Sequence, residues 1–425
     1  MGEWPMTKVS IILTSYNKPL YVAESIESVL QQTEEDWELF IMDDNSNEDT
    51  SQVLHSYLRD PRIFYMNSGI DDNKRFQTTR YAVLINQAIP RTTGKYISYL
   101  TDDTVYMPNR LQVMLDFFNK NPTVEIVYSS QKMQHLNKNH KVNFEIELTA
   151  TEVLTRAANM VDHCSVMHTR NIAEKVFSRY GTHWDVDPKY WFNADAVFWT
   201  RLNEFAPFYP IQKVLDITKK TPQSYQNLSA LLPKVIPDGT VVKGLKEELY
   251  LIDEQKLRLI SNELFERLKF NTIVEIPDPV LFSYDKGIPV CEEKLPNQIL
   301  VQSRTNHSIY YIQKGQKRLV NDAAFKKYRF NKQKTIILNE NHLNQWLDGP
   351  ELSEHITMDT MLPDGILFSF NGKFYICFDN LLCFLQTDIA LGKLQLPLKH
   401  AIPMSEEEFS LFKQGSSFTW ELPFK

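Results

Sequence analysis

Apolar residues fall along the first 130 positions in short continuous runs separated by amphipathic stretches. Val9 to Thr14, Trp37 to Met42, Arg62 to Met66, Lys95 to Leu100 and Thr123 to Tyr128 have the β-branched and aromatic content and the length of strands. Between them, Val22, Ile26, Val29 and Leu30 recur at helical spacing. So do Leu111, Met114, Leu115 and Phe118 after Pro108. Thr50 to Leu58 and Gln77 to Ile89 read as two further helices. Asn17 is placed to cap the first helix, with Pro19 in its first turn. Strands that are apolar throughout, alternating with helices, predict an α/β fold with a mostly parallel sheet covered on both faces. Sheets of this kind bind ligands beyond the carboxyl ends of their strands.

The polar residues collect at those ends, in Thr14-Ser15-Tyr16-Asn17, Asp43-Asp44-Asn45 and Thr101-Asp102-Asp103. Tyr16 offers a flat face to a base, and Asp44 can accept hydrogen bonds from a base or ribose. One of Asp102 or Asp103 suits a divalent ion set against a pyrophosphate. Arg75 and Arg80 are the nearest cations. Taken singly these are a core ring, turn formers and solvated arginines. Together at one sheet edge they predict a nucleoside diphosphate site with a metal. No GxGxxG follows the first strand and no GxxxxGK[ST] occurs, which disfavours dinucleotide and P-loop chemistry.

Further along, Val161-Asp-His-Cys-Ser-Val-Met-His168 holds two histidines and an acid at a spacing that matches no standard zinc motif. It reads as polar residues near an acceptor site, with His163 or His168 as an extra metal ligand the alternative. Trp184, Tyr190, Trp191, Phe192, Phe198 and Trp199 crowd around Asp187 and Asp195, either to stack on sugar rings or to pack a core. Five prolines between 205 and 242 suggest chain leaving a first domain, 1–230. From Lys243 to Phe270, leucines and isoleucines at mostly three- to four-residue intervals predict an amphipathic helix within a linker, 231–272. That helix either packs on its own domain or forms a homodimer. Beyond 273 short apolar runs alternate with turns, and Leu295-Pro-Asn-Gln-Ile-Leu300 recurs as Leu362-Pro-Asp-Gly-Ile-Leu367. A strand-rich, duplicated α+β module over 273–425 follows, with copies at about 295–350 and 362–415. Its role is binding, or the plain support of the first domain.

Composition narrows the class. The chain has 425 residues, 43% hydrophobic and 23% charged, with a net charge of −7 and no long basic run. That speaks against nucleic acid and against an electrostatically held membrane surface. No apolar run approaches the about 18 residues of a membrane span, and no signal-peptide pattern opens the chain. Cys164, Cys291, Cys377 and Cys383 are far apart, which fits a reducing cytosol better than a disulfide framework.

Four stretches carry a resemblance: Ser10-Ile-Ile-Leu-Thr-Ser-Tyr-Asn17, Ile41-Met-Asp-Asp-Asn-Ser-Asn47, Thr79-Arg-Tyr-Ala-Val-Leu-Ile-Asn-Gln-Ala88 and Thr101-Asp-Asp103. Over about residues 7–225 the chain resembles family 2 glycosyltransferases of GT-A fold, of the Bacillus spore-coat polysaccharide type. The resemblance implies that Thr14 and Tyr16 line a nucleotide site and that Asp44 contacts uracil or another pyrimidine. It sets Arg75 beside the base, Asp102 toward the ribose, and Asp103 on Mn2+ or Mg2+ at the pyrophosphate. Members invert the anomeric centre with a carboxylate base, which falls on Asp195 in Asn193-Ala-Asp-Ala-Val-Phe-Trp199. Burial among aromatics would raise its proton affinity, as such a base requires. The implied donor is a UDP or dTDP sugar and the implied acceptor a carbohydrate or glycoprotein. The implied setting is the mother-cell cytoplasm and the spore surface, with coat-protein contacts through the linker and C-terminal module. A reading from another class is a catalytically inactive assembly factor that binds sugar or protein on the same scaffold.

Overall fold

The computed structural model describes residues 8–419. Residues 1–7 and 420–425, at the outer ends of the two expected domains, lie outside the described residues. The chain divides into two compact units, Met1–Asn227 and Leu228–Lys425.

In the first unit β1 (Val9–Ser15), α1 (Pro19–Leu30), β2 (Trp37–Asp43), α2 (Glu48–Ser56), β3 (Ile63–Asn67), α3 (Arg80–Ala88) and β4 (Tyr96–Thr101) alternate as the hydrophobic pattern predicts. β5 (Thr104–Tyr106), α4 (Arg110–Lys120), β6 (Ile126–Leu136), β7 (Val142–Leu148), β8 (Val166–Thr169), α5 (Arg170–Tyr180), α6 (Ala194–Asn203) and β9 (Tyr209–Lys220) complete it. The sheet runs β3-β2-β1-β4-β8-β6-β9-β5, with β7 hydrogen-bonded to β6. β1, β2, β3 and β4 are mutually parallel, and β8 runs against both β4 and β6. Alternate residues of each strand enter opposite cores. Ile12, Phe40, Met42, Ile97 and Tyr99 pack with α3, α5 and α6. Ile11, Leu13, Leu39, Ile41 and Leu100 pack with α1, α2 and α4. Residues 126–148 form the β6–β7 hairpin, whose second strand is exposed along its length.

Register sets the site. Ser15 pairs with Asp43, Thr14 pairs with Thr101, and Asp44 donates its N–H to the Ser15 carbonyl. The polar ends of β1, β2 and β4 therefore stand side by side. Asn17 does not cap α1. Its backbone turns left-handed at φ 51°, and its side-chain oxygen accepts the Asn47 N–H at 2.7 Å, tying the β1 end to the β2 end. Asn47 in turn caps α2 through the Thr50 N–H.

The second unit departs from expectation. No long helix spans 243–270. Leu249–Asp253 and Lys256–Ile260 form an antiparallel hairpin, and only Asn262–Arg267 is helical. Leucines three and four apart suit a helix, but they also suit two strands joined by a turn. Glu254 and Gln255, both left-handed at φ 53° and 55°, supply that turn. The apolar helix stripe expected to pair in a homodimer is thus not formed.

The hairpin belongs to a third copy of the repeat. Each copy is a strand, a hairpin, a short helix or helical turn, and a strand parallel to the first. The first strands are Val241–Lys243, Leu300–Ser303 and Leu367–Phe370; their parallel partners are Val274–Glu275, Thr335–Leu338 and Ile402–Pro403. All three hairpins turn on left-handed pairs, at Glu254-Gln255, Lys314-Gly315 and Asp379-Asn380. Before each first strand stands Pro237-Asp-Gly239, Pro296-Asn-Gln298 or Pro363-Asp-Gly365, with the third residue left-handed. Cores form between copies: one joins Val242 and Ile252 to Ile376 and Leu385, another Leu249 and Leu251 to Val301 and Ile312, the last Tyr311 and Val320 to Phe368 and Tyr375. Three interfaces among three copies close a ring. A Cβ on Gly239 or on Gly365 would meet the Gln298 side-chain amide, so the three turns converge on that residue.

Candidate active site

Asp102 and Asp103 follow β4 and are buried, at 4% and 8% exposure. Asp102 Oδ2 accepts the Tyr16 N–H at 2.8 Å. Lys18 spans the pair, its Nζ 3.1 Å from Asp102 Oδ1 and 2.6 Å from Asp103 Oδ2. Thr101 Oγ1 donates to Asp103 Oδ1 at 2.8 Å. Burial would raise both carboxyls. For Asp103, Lys18 and Lys220 outweigh it and hold the group below its usual range. For Asp102, burial together with the neighbouring Asp103 charge wins, and the group is raised. Two buried carboxylates that already hold a cation between them are a hard oxygen donor set, which fits a divalent ion.

Beside them, Arg75 lies on the short 3-10 turn Asp72–Gln77 with its guanidinium 3.9 Å above the Tyr16 ring. It donates to Asp44 Oδ2 at 2.5 Å, and Arg80 donates to Asp44 Oδ1 at 2.7 Å. Asp44 is thus clamped by two buried arginines and held at the rim rather than in solvent. Thr14, Tyr16, Asp44, Arg75, Asp102 and Asp103 are brought together. Ser15 Oγ and Asn17 Nδ2 are buried there with no hydrogen-bond partner.

Asp195 lies in the first turn of α6, where its Oδ1 accepts the Ala196 N–H. Burial lifts its carboxyl to about 6, opposed by His163, although 22% of the side chain is exposed. His163 Nδ1 is 3.9 Å from Asp195 Oδ2. Lys220, which ends β9, acts electrostatically on Asp103, Asp162 and Asp195, so these three groups share one neighbourhood. Arg201 pairs with Asp185 at 2.6 Å and not with Asp195. Asp187 is tied to Lys189 and is half-exposed. Of the six crowded aromatics, Trp184, Phe198 and Trp199 are fully buried core, while Tyr190, Trp191 and Phe192 remain half-buried. Beneath this region Arg110 and Asp216, both wholly buried, pair at 3.1 Å, and Arg110 also donates to the Cys164 carbonyl. His168 is not near an ion site. Its Nε2 hydrogen-bonds the Tyr99 hydroxyl at 2.8 Å, and burial lowers it to about 4.

The family description "Glycosyl transferase family 2" matches residues 10–177. Protein CgeD of Bacillus subtilis (strain 168) is 46% identical over 354 residues, 83% of this chain and 81% of its own. The chain belongs to glycosyltransferase family 2. An uncharacterized glycosyltransferase of Rickettsia bellii (strain RML369-C) is 32% identical over 134 residues, 32% of this chain and 18% of its own. A crystal structure of S. aureus TarS, residues 1–349, overlaps 52% of this chain and 64% of its own at 15% identity and a TM-score of 0.40. The protein is a glycosyltransferase, and its first unit has the GT-A arrangement expected from the sequence. Among the described residues no helix is long and apolar enough to cross a membrane.

Lys18, Lys220 and the turn of Asn17 escaped the sequence reading. The lysines are single cations far apart in the chain, and only the sheet register brings them to Asp103. For Arg80 the signal was present in Thr79-Arg-Tyr-Ala, but its partner Asp44 was not.

Proposed function

We propose that this glycosyltransferase moves a sugar, with inversion, from a UDP or dTDP sugar to a hydroxyl of a carbohydrate or glycoprotein. The observation that carries the reading is the pairing of two poised sites: the cation-bridged Asp102 and Asp103, and Asp195 with its carboxyl lifted to about 6. Thr14, Tyr16, Asp44 and Arg75 bind the nucleoside, with Asp102 toward the ribose. Asp103 holds Mn2+ or Mg2+, and the bound ion supplies neutralising charge at the leaving phosphate. Asp195 takes the proton from the acceptor hydroxyl, whose oxygen attacks the anomeric carbon opposite the nucleoside diphosphate. A carboxyl poised near 6 is ionised at neutral pH and still basic enough to do so. The spore-coat polysaccharide type of the resembling transferases supports a role in spore-surface glycan synthesis from the mother-cell cytoplasm. The ring of three repeats is assigned to binding, of the acceptor polymer or of a coat protein.

Calorimetry of UDP and dTDP with and without Mn2+ tests the reading. Asp103→Asn abolishes the metal-dependent part of nucleotide binding. Equal affinity in this variant, or in wild type after chelation, would sink the metal assignment.

A further inference from the structure

Three buried polar atoms on residues gathered around Tyr81 lack hydrogen-bond partners: His163 Nε2, Trp191 Nε1 and Asn193 Oδ1. A buried polar atom left unpaired is destabilising, and three of them around one tyrosine, with Asp195 3.9 Å from His163, call for an occupant.

The local structure explains why none finds a partner within the chain. Asn193 holds the N-cap position of α6, where an asparagine oxygen normally accepts a backbone N–H. Here it makes no capping bond. The Ala196 N–H, the donor such a cap would take, goes to Asp195 Oδ1 at 2.9 Å instead, while the Tyr81 hydroxyl accepts the Ala194 N–H at 2.9 Å. His163 stacks on the same Tyr81 ring, 6.0 Å between centroids and 14° between planes, and meets Trp184 edge-on. Burial alone would lower its proton affinity, but the Cys164 sulfur, Asp162 and Asp195 outweigh it and hold the imidazole at about 10. Both ring nitrogens therefore carry protons, and Nε2–H is a donor. Trp191 stacks on Tyr225 at 5.5 Å and 11° and meets Tyr81 edge-on. Its Nε1–H can only donate. Two fixed donors and one fixed acceptor around Tyr81 complement a ligand that offers several hydroxyls close together.

We propose that His163, Trp191 and Asn193 form a subsite that grips a pyranose acceptor through hydroxyls neighbouring the one deprotonated by Asp195. His163 and Trp191 donate to sugar oxygens, and Asn193 accepts from a sugar hydroxyl. The inference rests on the glycosyl-transfer reading and names the acceptor class as a pyranoside with free adjacent hydroxyls.

The test titrates the full chain with methyl α-D-glucopyranoside, methyl β-D-galactopyranoside and methyl α-L-rhamnopyranoside, followed by saturation-transfer NMR, with and without UDP and Mn2+. Wild type binds at least one of them. His163→Phe and Trp191→Phe keep the rings and remove the donors, and each weakens that binding roughly tenfold or more. His163→Gln, which keeps an N–H, recovers part of it. UDP affinity stays at the wild-type value in all three, which also shows that they are folded. Wild type binding no glycoside, or both phenylalanine variants binding as wild type does, overturns the subsite. Wild type that fails to bind UDP sinks the donor reading instead, and the titration without nucleotide still decides the subsite.

Discussion

Asp195→Asn stabilises the catalytic unit at neutral pH while abolishing transfer. The folded carboxyl holds its proton up to about pH 6, whereas an unfolded aspartate releases it near ~3.9. Two units of difference correspond to ~3 kcal/mol, at 1.36 kcal/mol each. With 22% of the side chain exposed and an attraction to His163 forfeited, about 1–2 kcal/mol of that remains as a net gain. Between about pH 4 and 6 the folded state binds more protons than the unfolded one. Stability therefore falls as pH rises through that window, and the cost of the carboxylate is fully present above it. Asparagine carries no charge at either end, so the gain appears at pH 7.5 and vanishes near pH 4. For a unit of this size 1 kcal/mol moves Tm by roughly 2–4 °C, so a rise of about 2–8 °C is expected. Scanning calorimetry at pH 7.5 and 4.2 measures it, and the transition that shifts with UDP and Mn2+ identifies the catalytic unit. A lower Tm for the variant at pH 7.5, or the same shift at both pH values, would refute the claim that burial strains this carboxylate.

Lys18→Met removes the cation that now bridges Asp102 and Asp103. Mn2+ affinity of the nucleotide-free protein rises roughly tenfold, on the scale of one charge-assisted hydrogen bond; unchanged or weaker Mn2+ binding by calorimetry would show that the lysine does not compete with the ion. A fragment of residues 228–425 melts cooperatively, while one of residues 273–425 does not, because it lacks the copy whose Val242, Ile252, Leu249 and Leu251 fill two of the three shared cores. Equal cooperativity of the two fragments by circular dichroism would contradict the closed ring.

The catalytic unit was legible because its strands are buried on both faces, and burial on both faces writes itself as unbroken apolar runs. The ends of β1, β2 and β4 could be named for the same reason, since a parallel sheet gathers its carboxyl ends. What the pattern could not supply were partners that depend on register, such as Lys18 on Asp103 or Arg80 on Asp44. In the second unit the spacing itself misled. Leu249, Ile252, Leu257, Ile260 and Leu264 satisfy a helical period, and neither Glu254 nor Gln255 announces a turn as Asn-Gly would. The missing copy had left a trace in Pro237-Asp-Gly239, the same triplet as Pro363-Asp-Gly365. Five nearby prolines made it look like irregular chain. Half of the aromatic cluster proved to be core because Trp184, Phe198 and Trp199 fill the volume between α6 and the sheet, a matter of depth that a one-dimensional pattern does not carry.

A point on a symmetry axis belongs to every copy at once, so a single side chain can occupy it. Gln298 takes that place, and its two counterparts are glycines. Three glutamines would collide there, and three glycines would leave a hole in an interior that must be close-packed. The copies are thus obliged to differ at this position however alike they become elsewhere. Divergence at the axis is a packing requirement and not drift. A designed version built from three identical consensus repeats would fail first at this one residue.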